Sequence, residues 1–526
     1  MLIAFLLITP FICSCLMLAS SGRDAKATFK MGLLFMALPL VLATALIAIG
    51  GQETDSYSWF FLLGISVDFS LFGYGLSMWM VWLTALLSFL AFAYSKTALS
   101  FGIREFAVGM LALEGTIIGA FLSTQNIVQF LFFFEAMILP SAVLIALHGG
   151  LKRRRAVLVF SIYTLCGSIP LIFGALYLVF KAGSVDVLDL AEILKTLPVQ
   201  TQVSLLIAFS ISFAVKTPLF PLHGWQGISY SEAPYPLSAI LSGAMSKVGV
   251  FGFAVWVIPI FYDLLFATYY NLYLISIALF SMLYGAALAL KQTNIKKLLA
   301  FSSMSHLSLA VAGLFCLNNT VNAGVAIMLV GHGLTAGGLF FFSGIAQKWT
   351  GSTNIKNFGA FASTNPVYAG IFGFTGVAAI AVPSTVGFVG EFLILQGLFN
   401  SGYPFFAIIG GIGIICSAAY MLRLLKNVLF GPVPEGRAGI SLSRFEGMAA
   451  VPIIAFILYF GLHPAPILNS FDKEPQKEIF SSEEPTEEEI LEFERILEEY
   501  LESLPQAELD SLATENSENL EEQNND

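Results

Sequence analysis

Charge is scarce in this chain: Asp, Glu, Lys and Arg make up 11% of its 526 residues, 57% are hydrophobic, and the mean hydropathy is +0.81. A soluble protein of this length needs a far more charged surface, so soluble domains are excluded and a bundle embedded in lipid remains. Cysteine is equally sparse. Cys13, Cys15, Cys166, Cys316 and Cys416 are scattered through apolar stretches with no CxxC. That spacing excludes a grouped thiolate site for zinc or an iron–sulfur cluster, and equally a disulfide framework. A glycine-rich nucleotide fingerprint is missing too, so the sequence predicts no metal, haem, flavin or nucleotide cofactor in this chain. The N-terminus lacks a basic stretch ahead of its first apolar run, which predicts a retained helix and no cleaved signal peptide.

The net charge of −10 divides unevenly. Residues 471–526 hold 20 acidic and 3 basic residues, whereas the first 470 hold 15 acidic and 22 basic ones. The acidity therefore belongs to a C-terminal tail, and residues 1–470 form the membrane domain. Within the tail, Glu483 to Leu504 reads as a short, very acidic amphipathic helix carrying Ile490, Leu491, Phe493, Ile496, Leu497, Leu501 and Leu504 on a rough helical stripe.

What the chain has in abundance is apolar runs of about 20 residues, enough to cross a bilayer core as helices. Spans 1 to 14 fall near 2–21, 30–50, 76–95, 104–124, 127–147, 156–180, 202–223, 236–258, 269–290, 298–317, 321–346, 366–399, 403–426 and 447–466. The twelfth is too long for one straight helix and contains Pro383 among glycines. Loops after odd-numbered spans carry eighteen Lys and Arg residues, among them Lys152 to Arg155 and Lys291, Lys296 and Lys297; loops after even-numbered spans carry two, Lys181 and Lys195. The positive-inside rule then puts the odd-numbered loops in the cytoplasm and both termini on the opposite side.

An ionisable side chain near the bilayer midplane costs at least about 2.5–3.5 kcal/mol on insertion scales, so those that persist there usually mark a pathway. Seven lie well inside assigned spans: Glu114, Glu135, Lys216, Lys247, His306, His332 and Glu391. Carboxylates, lysines and imidazoles on separate helices form a set that can pass protons, because burial favours neutral forms and a nearby opposite charge reverses that preference. Blander roles compete at several positions. Lys216 has room to snorkel toward His223, and His306 follows Ser302, Ser303 and Ser305, a polar run suited to hydrogen bonds between helices.

Spans 7 and 12 share a second peculiarity. Span 7 contains Lys216-Thr217-Pro218-Leu219-Phe220-Pro221 and span 12 contains Pro383 to Glu391. Proline inside a helix frees carbonyls that lipid cannot satisfy, so such breaks survive where they line a polar cavity. Each break adjoins a buried charge, and the two are five spans apart. An odd offset makes the two helices cross in opposite directions. That is the signature of an inverted repeat, with spans 4–8 matching 9–13.

At these residues the chain resembles the antiporter-like, proton-translocating membrane subunits of respiratory complex I. The resemblance rests on FFFEAMILP around Glu135, KTPLFPLHGW around Lys216, SKVGVFG around Lys247, QTNIKKLLAFSSMSHL around His306, GHGLTAGGLF around His332 and VGFVGEFLIL around Glu391. It runs from about residue 60 to 430, and its motifs occur in order. It implies an all-α membrane protein of about fourteen transmembrane helices with two inverted five-helix repeats and broken helices 7 and 12. It also implies proton translocation through Glu135, Lys216, Lys247, His306, His332 and Glu391. In such a path Glu135 and Lys216 would form the input pair in contact, although their positions in straight spans differ in depth by about 9 Å. Lys247, His306 and His332 would form the central axis and Glu391 the outlet.

Within the family, Glu at position 391 is the choice of the M branch, where the L and N branches and the sodium/proton antiporter relatives carry Lys. One departure stands out. After Trp225 the family usually reads Leu-Pro-Asp-Ala-His, and this chain has Gln226-Gly227-Ile228-Ser229-Tyr230, leaving Glu232 as the nearby acid.

The expected function is that of a multi-pass subunit of NADH:quinone oxidoreductase in a bacterial inner membrane, coupling quinone reduction elsewhere in the complex to proton pumping. Its expected partners are neighbouring antiporter-like subunits, the lipid bilayer and protons, with no nucleic acid. The alternatives are a subunit of a multi-subunit sodium/proton antiporter and one of a membrane-bound hydrogenase-type complex. The charge asymmetry also predicts a tail on the periplasmic side. Reporters fused after Phe471 test it: a periplasm-dependent reporter should be active and a cytoplasm-dependent one silent, and the opposite result would invert the topology.

Overall fold

The computed structural model describes residues 1–20, 24–54, 57–62, 64–267, 269–431 and 441–470. The amphipathic segment expected in the acidic tail lies outside these residues. Thirteen of the described helices are long and apolar enough to cross a membrane, from Leu2–Ala19 to Arg444–Leu462. The remaining expected span, the twelfth, is the one whose length and Pro383 argued for a break, and it is two half-helices, Pro366–Ala378 and Val386–Asn400. Between them Ala381 and Ser384 adopt positive φ (58° and 76°), so the chain leaves the helical ladder on either side of Pro383.

Span 7 ends earlier than its hydropathy suggests. Its helix is Val199–Lys216, and after a non-helical stretch through Pro218 and Pro221 the chain resumes as the short helix Gln226–Glu232. Lys216 is therefore the last residue of a half-helix, without a further turn leading to His223. Span 8 runs from Tyr235 to Ala267 and contains two π turns, Leu241–Met245 and Phe253–Val257. Spans 3, 10 and 11 are buried over most of their length, and Gly75–Ala98, Ile295–Leu314 and Val321–Thr350 form the packed centre.

An addition to the all-α expectation lies between spans 2 and 3. There Tyr57–Leu62 pairs antiparallel with Ile65–Phe69, and Gln52–Glu53 pairs with Phe72–Gly73. Tyr, Trp and Phe dominate this stretch, residues that suit a pleated surface better than a helix.

Two backbone clasps of the same kind recur in the chain. Asn126, just before span 5, bridges Asp186, which follows span 6; Asn294, just before span 10, bridges Asn354, which follows span 11. In the first clasp Ile127 N–H donates to the Val185 carbonyl and Val187 N–H to the Gln125 carbonyl, both at 3.2 Å. In the second, Ile295 N–H donates to the Thr353 carbonyl (2.9 Å) and Ile355 N–H to the Thr293 carbonyl (2.8 Å). All four bridging residues also cap a helix, because each side chain accepts from a backbone amide of the first turn. The partners are five spans apart.

If the clasps are equivalent, removing either cap should weaken its own half by a similar amount. Asn126→Ala and Asn294→Ala should each cost about 1 kcal/mol, read as a lowered thermal midpoint of the detergent-solubilised protein. Asn294→Asp should keep most of the stability. A loss confined to one clasp would argue against their equivalence.

Candidate functional site

Helix crossings bring the buried ionisable groups together. Spans 8 and 11 meet where Gly243 and Gly333 oppose each other: a β-carbon on Gly333 would lie 2.9 Å from the Gly243 carbonyl oxygen. Only hydrogen fits that crossing, and it sets Lys247, four residues along span 8, beside His332. Gly390 does the same for its neighbour Glu391, because a β-carbon there would meet the backbone of Met328 at 2.6 Å.

In the first half of the chain, Glu135 sits near the end of Ile127–Ala136, just before a turn at Met137. Its Oε1 makes no hydrogen bond among the described residues, and Ser168 and Lys216 face the carboxylate. Lys216 is 2% exposed, so it does not snorkel. Its Nζ lies 3.5 Å from the Phe134 carbonyl oxygen and 4.7 Å from the centre of the Phe134 ring. The contact expected between Glu135 and Lys216 is not closed: among the described residues no ion pair joins them. A carbonyl and an aromatic face hold the ammonium one residue short of the carboxylate, in keeping with the difference in depth between the two spans.

Lys247 is fully buried, and the π turn before it explains how a lysine is tolerated there. Ser246 N–H bonds back to the Leu241 carbonyl (3.1 Å), five residues away, which releases the Ser242 carbonyl from the α-helical ladder. That oxygen accepts from both Ser246 Oγ (2.9 Å) and Lys247 Nζ (3.1 Å). Lys247 and His306 are the basic groups facing His332.

The second half is closed where the first is open. His306 Nδ1 lies 2.9 Å from Glu391 Oε1, a buried ion pair when the imidazole is protonated, and His306 Nε2 lies 3.2 Å from the Tyr420 hydroxyl. Tyr420 in turn shares a 2.9 Å hydrogen bond with Ser302. His332 Nε2 lies 2.9 Å from Ser303 Oγ, and the two imidazole rings are 5.4 Å apart, centre to centre. An imidazole with a polar partner at each nitrogen can take a proton at one and release it at the other. Glu391 Oε2 makes no hydrogen bond within the chain.

Comparison with known proteins follows the same residues. Residues 124–417, the stretch that spans both clasps and these groups other than Tyr420, match the family described as "NADH:quinone oxidoreductase/Mrp antiporter, TM". The NADH-quinone oxidoreductase subunit M of Rickettsia prowazekii is 32% identical over 422 residues, which is 80% of this chain and 85% of that protein. The chain belongs to this family. A chain of respiratory complex I from Thermus thermophilus superposes with a TM-score of 0.81 at 27% identity, covering 91% of this chain and 99% of that one. The Mrp complex of Dietzia sp. DQ12-45-1b shares the fold alone, with a TM-score of 0.78 at 18% identity over 91% of this chain and 98% of that one.

Sequence reasoning passed over three members of the polar network. Tyr420 lies on an apolar span, and its only signal is a phenol after the small residues Ser417, Ala418 and Ala419. Lys296 reads as a cytoplasmic loop charge but is 4% exposed within Ile295–Leu314, donating to the Ala233 carbonyl with its ammonium 4.4 Å over the Tyr235 ring. Glu446 is 1% exposed and pairs with Lys348 at 3.2 Å. Glu114, the seventh buried ionisable residue, makes no hydrogen bond and faces Cys13 on span 1.

The His306–Glu391 contact makes a direct prediction. Glu391→Gln keeps the shape and removes the ionisable group, so proton transport should fall by about tenfold or more, as for a lost acid–base group, with the complex still assembled. Glu391→Asp should retain a substantial part. Unimpaired transport by Glu391→Gln would remove this residue from the path.

Proposed function

We propose that the chain works as an M-type membrane subunit of a proton-pumping NADH:quinone oxidoreductase, moving protons across the bilayer while quinone is reduced in another part of the complex. The observation that carries this reading is the buried His306–Glu391 pair at 2.9 Å. A glutamate at the break of span 12 is the M-branch choice, and it is seated against an imidazole that can deliver a proton to it. A sodium/proton antiporter subunit would share the fold, but by the family pattern it would present lysine at that position.

In this reading the proton enters the first half at Glu135 and Lys216, crosses by Lys247, His332 and His306, and leaves through Glu391. Ser303 and Tyr420 orient the two imidazoles. Transport runs against a membrane potential that opposes it by about 2.3 kcal/mol per charge per 100 mV, so a continuous wire would leak. A path that is open at one pair and closed at another avoids that leak: Lys216 is held off Glu135 while His306 touches Glu391. Driving the cycle requires only that the two contacts alternate. The chain itself supplies no redox centre; its partners are neighbouring antiporter-like subunits, and its place is the bacterial inner membrane.

Purification through a tag on this chain tests the assembly and the path together. Subunits carrying iron–sulfur clusters and NADH oxidation should co-purify; a purified assembly with neither would support the antiporter reading. In the assembled complex Glu135→Gln removes the carboxylate facing Lys216, so quinone reduction and pumping should fall together, with Glu135→Asp keeping part of both. Lys216→Arg should fail despite its charge, because a guanidinium does not release its proton. Full activity of Lys216→Arg would show that fixed charge suffices there.

A further inference from the structure

The short helix Gln226–Glu232 is the element whose sequence departs from the family pattern, and it carries an unusual set of buried polar atoms. Its far end is fixed at the cytoplasmic loop between spans 5 and 6: the Glu232 carbonyl accepts from Gly150 N–H (2.8 Å), and Glu232 Oε2 accepts from Lys152 N–H (2.9 Å). Its near end starts one residue after Trp225, whose indole N–H donates to the Val215 carbonyl beside Lys216 (2.9 Å). The helix thus leads from the cytoplasmic surface toward the buried lysines.

Along that route buried polar groups have few partners. Gln226 is fully buried, and among the described residues only the Tyr230 hydroxyl faces its amide. Ser242 Oγ and the Tyr235 hydroxyl make no hydrogen bond among the described residues. Tyr230 links them: its hydroxyl donates to the Leu241 carbonyl (2.8 Å) in the π turn and also faces Gln226 and Ser246. Ser246 Oγ and Lys247 Nζ then share the Ser242 carbonyl. Buried amides and hydroxyls are costly unless hydrogen-bonded, and a polar site with several such groups is one that water occupies. Purely structural packing would favour leucine at position 226, where an amide offers four hydrogen-bonding sites and the Tyr230 hydroxyl can fill only one of them.

We propose that Gln226, Tyr230 and Ser242 position a file of water molecules that carries protons from the cytoplasmic surface at Glu232 to Lys247, so that proton uptake in this chain runs over hydroxyl and amide groups without a titratable relay beside Trp225. They are positioning residues. Protons hop along the waters they hold and reach Lys247, where this route joins the path that Glu135 and Lys216 gate. The inference rests on the proton-pumping reading above.

The test uses the assembled complex in sealed vesicles. Gln226→Met keeps the length of the side chain and removes its hydrogen bonds, and Tyr230→Phe removes one hydroxyl. Each should lower proton pumping and NADH oxidation at least threefold at normal assembly, and Gln226→Asn should recover most of both. X-ray radiolytic hydroxyl labelling gives an independent readout, since it marks side chains beside bound water. Buried Tyr230 and Met245 should label in the unaltered complex, and their labelling should fall at least threefold in Gln226→Met. Should Gln226→Met fail to assemble, Tyr230→Phe and the labelling of the unaltered complex decide. Undiminished pumping by Tyr230→Phe, or unlabelled Tyr230 and Met245, would overturn the water file while leaving the pumping function intact. An unaltered complex that oxidises NADH without pumping would instead overturn the reading beneath it.

Discussion

Hydrocarbon offers no hydrogen bonds, so every polar group at membrane depth must find its partner inside the chain or in water that the chain encloses. That constraint governs the rest of the structure. It is why broken helices and buried charges occur together: the break at Pro218 follows Lys216, and the break at Pro383 precedes Glu391. It also explains the π turn before Lys247, which turns one carbonyl of span 8 into a ligand for the ammonium. A straight, apolar helix would be more stable at each place and would carry nothing.

The same constraint separates the two halves of the chain. Each half has a clasp, a broken helix and a carboxylate beside a basic group. In the first half the basic group rests on a carbonyl and a phenyl ring, and in the second it touches its carboxylate. A symmetric scaffold holding asymmetric contacts suits a device that must never be open to both sides. Lys247 and the two imidazoles come together at the Gly243–Gly333 crossing.

Much of this was legible in the sequence, because lipid imposes long apolar runs and forbids idle charges. The fourteen spans, the two breaks and the buried ionisable residues all followed from hydropathy and from proline beside a buried charge. Span ends were less legible. Hydropathy carries span 7 on to His223, whereas Pro218 and Pro221 end its helix at Lys216. The aromatic hairpin before span 3 escaped notice because short strands leave little trace beside such long apolar segments.

Contacts between helices were not legible, for a physical reason. Sequence gives each residue a depth, but which face of a helix meets which neighbour depends on crossing angles set by glycines and π turns far apart in the chain. Depth alone could not reveal that Tyr420 bonds His306, that Lys296 is buried on the Ala233 carbonyl, or that Lys216 stops at Phe134. The sequence by itself determined that this chain spans a membrane and which ionisable side chains it buries there. Only the packing of its helices decided which of those side chains touch, because a hydrogen bond depends on tenths of an ångström that no pattern of residue types specifies.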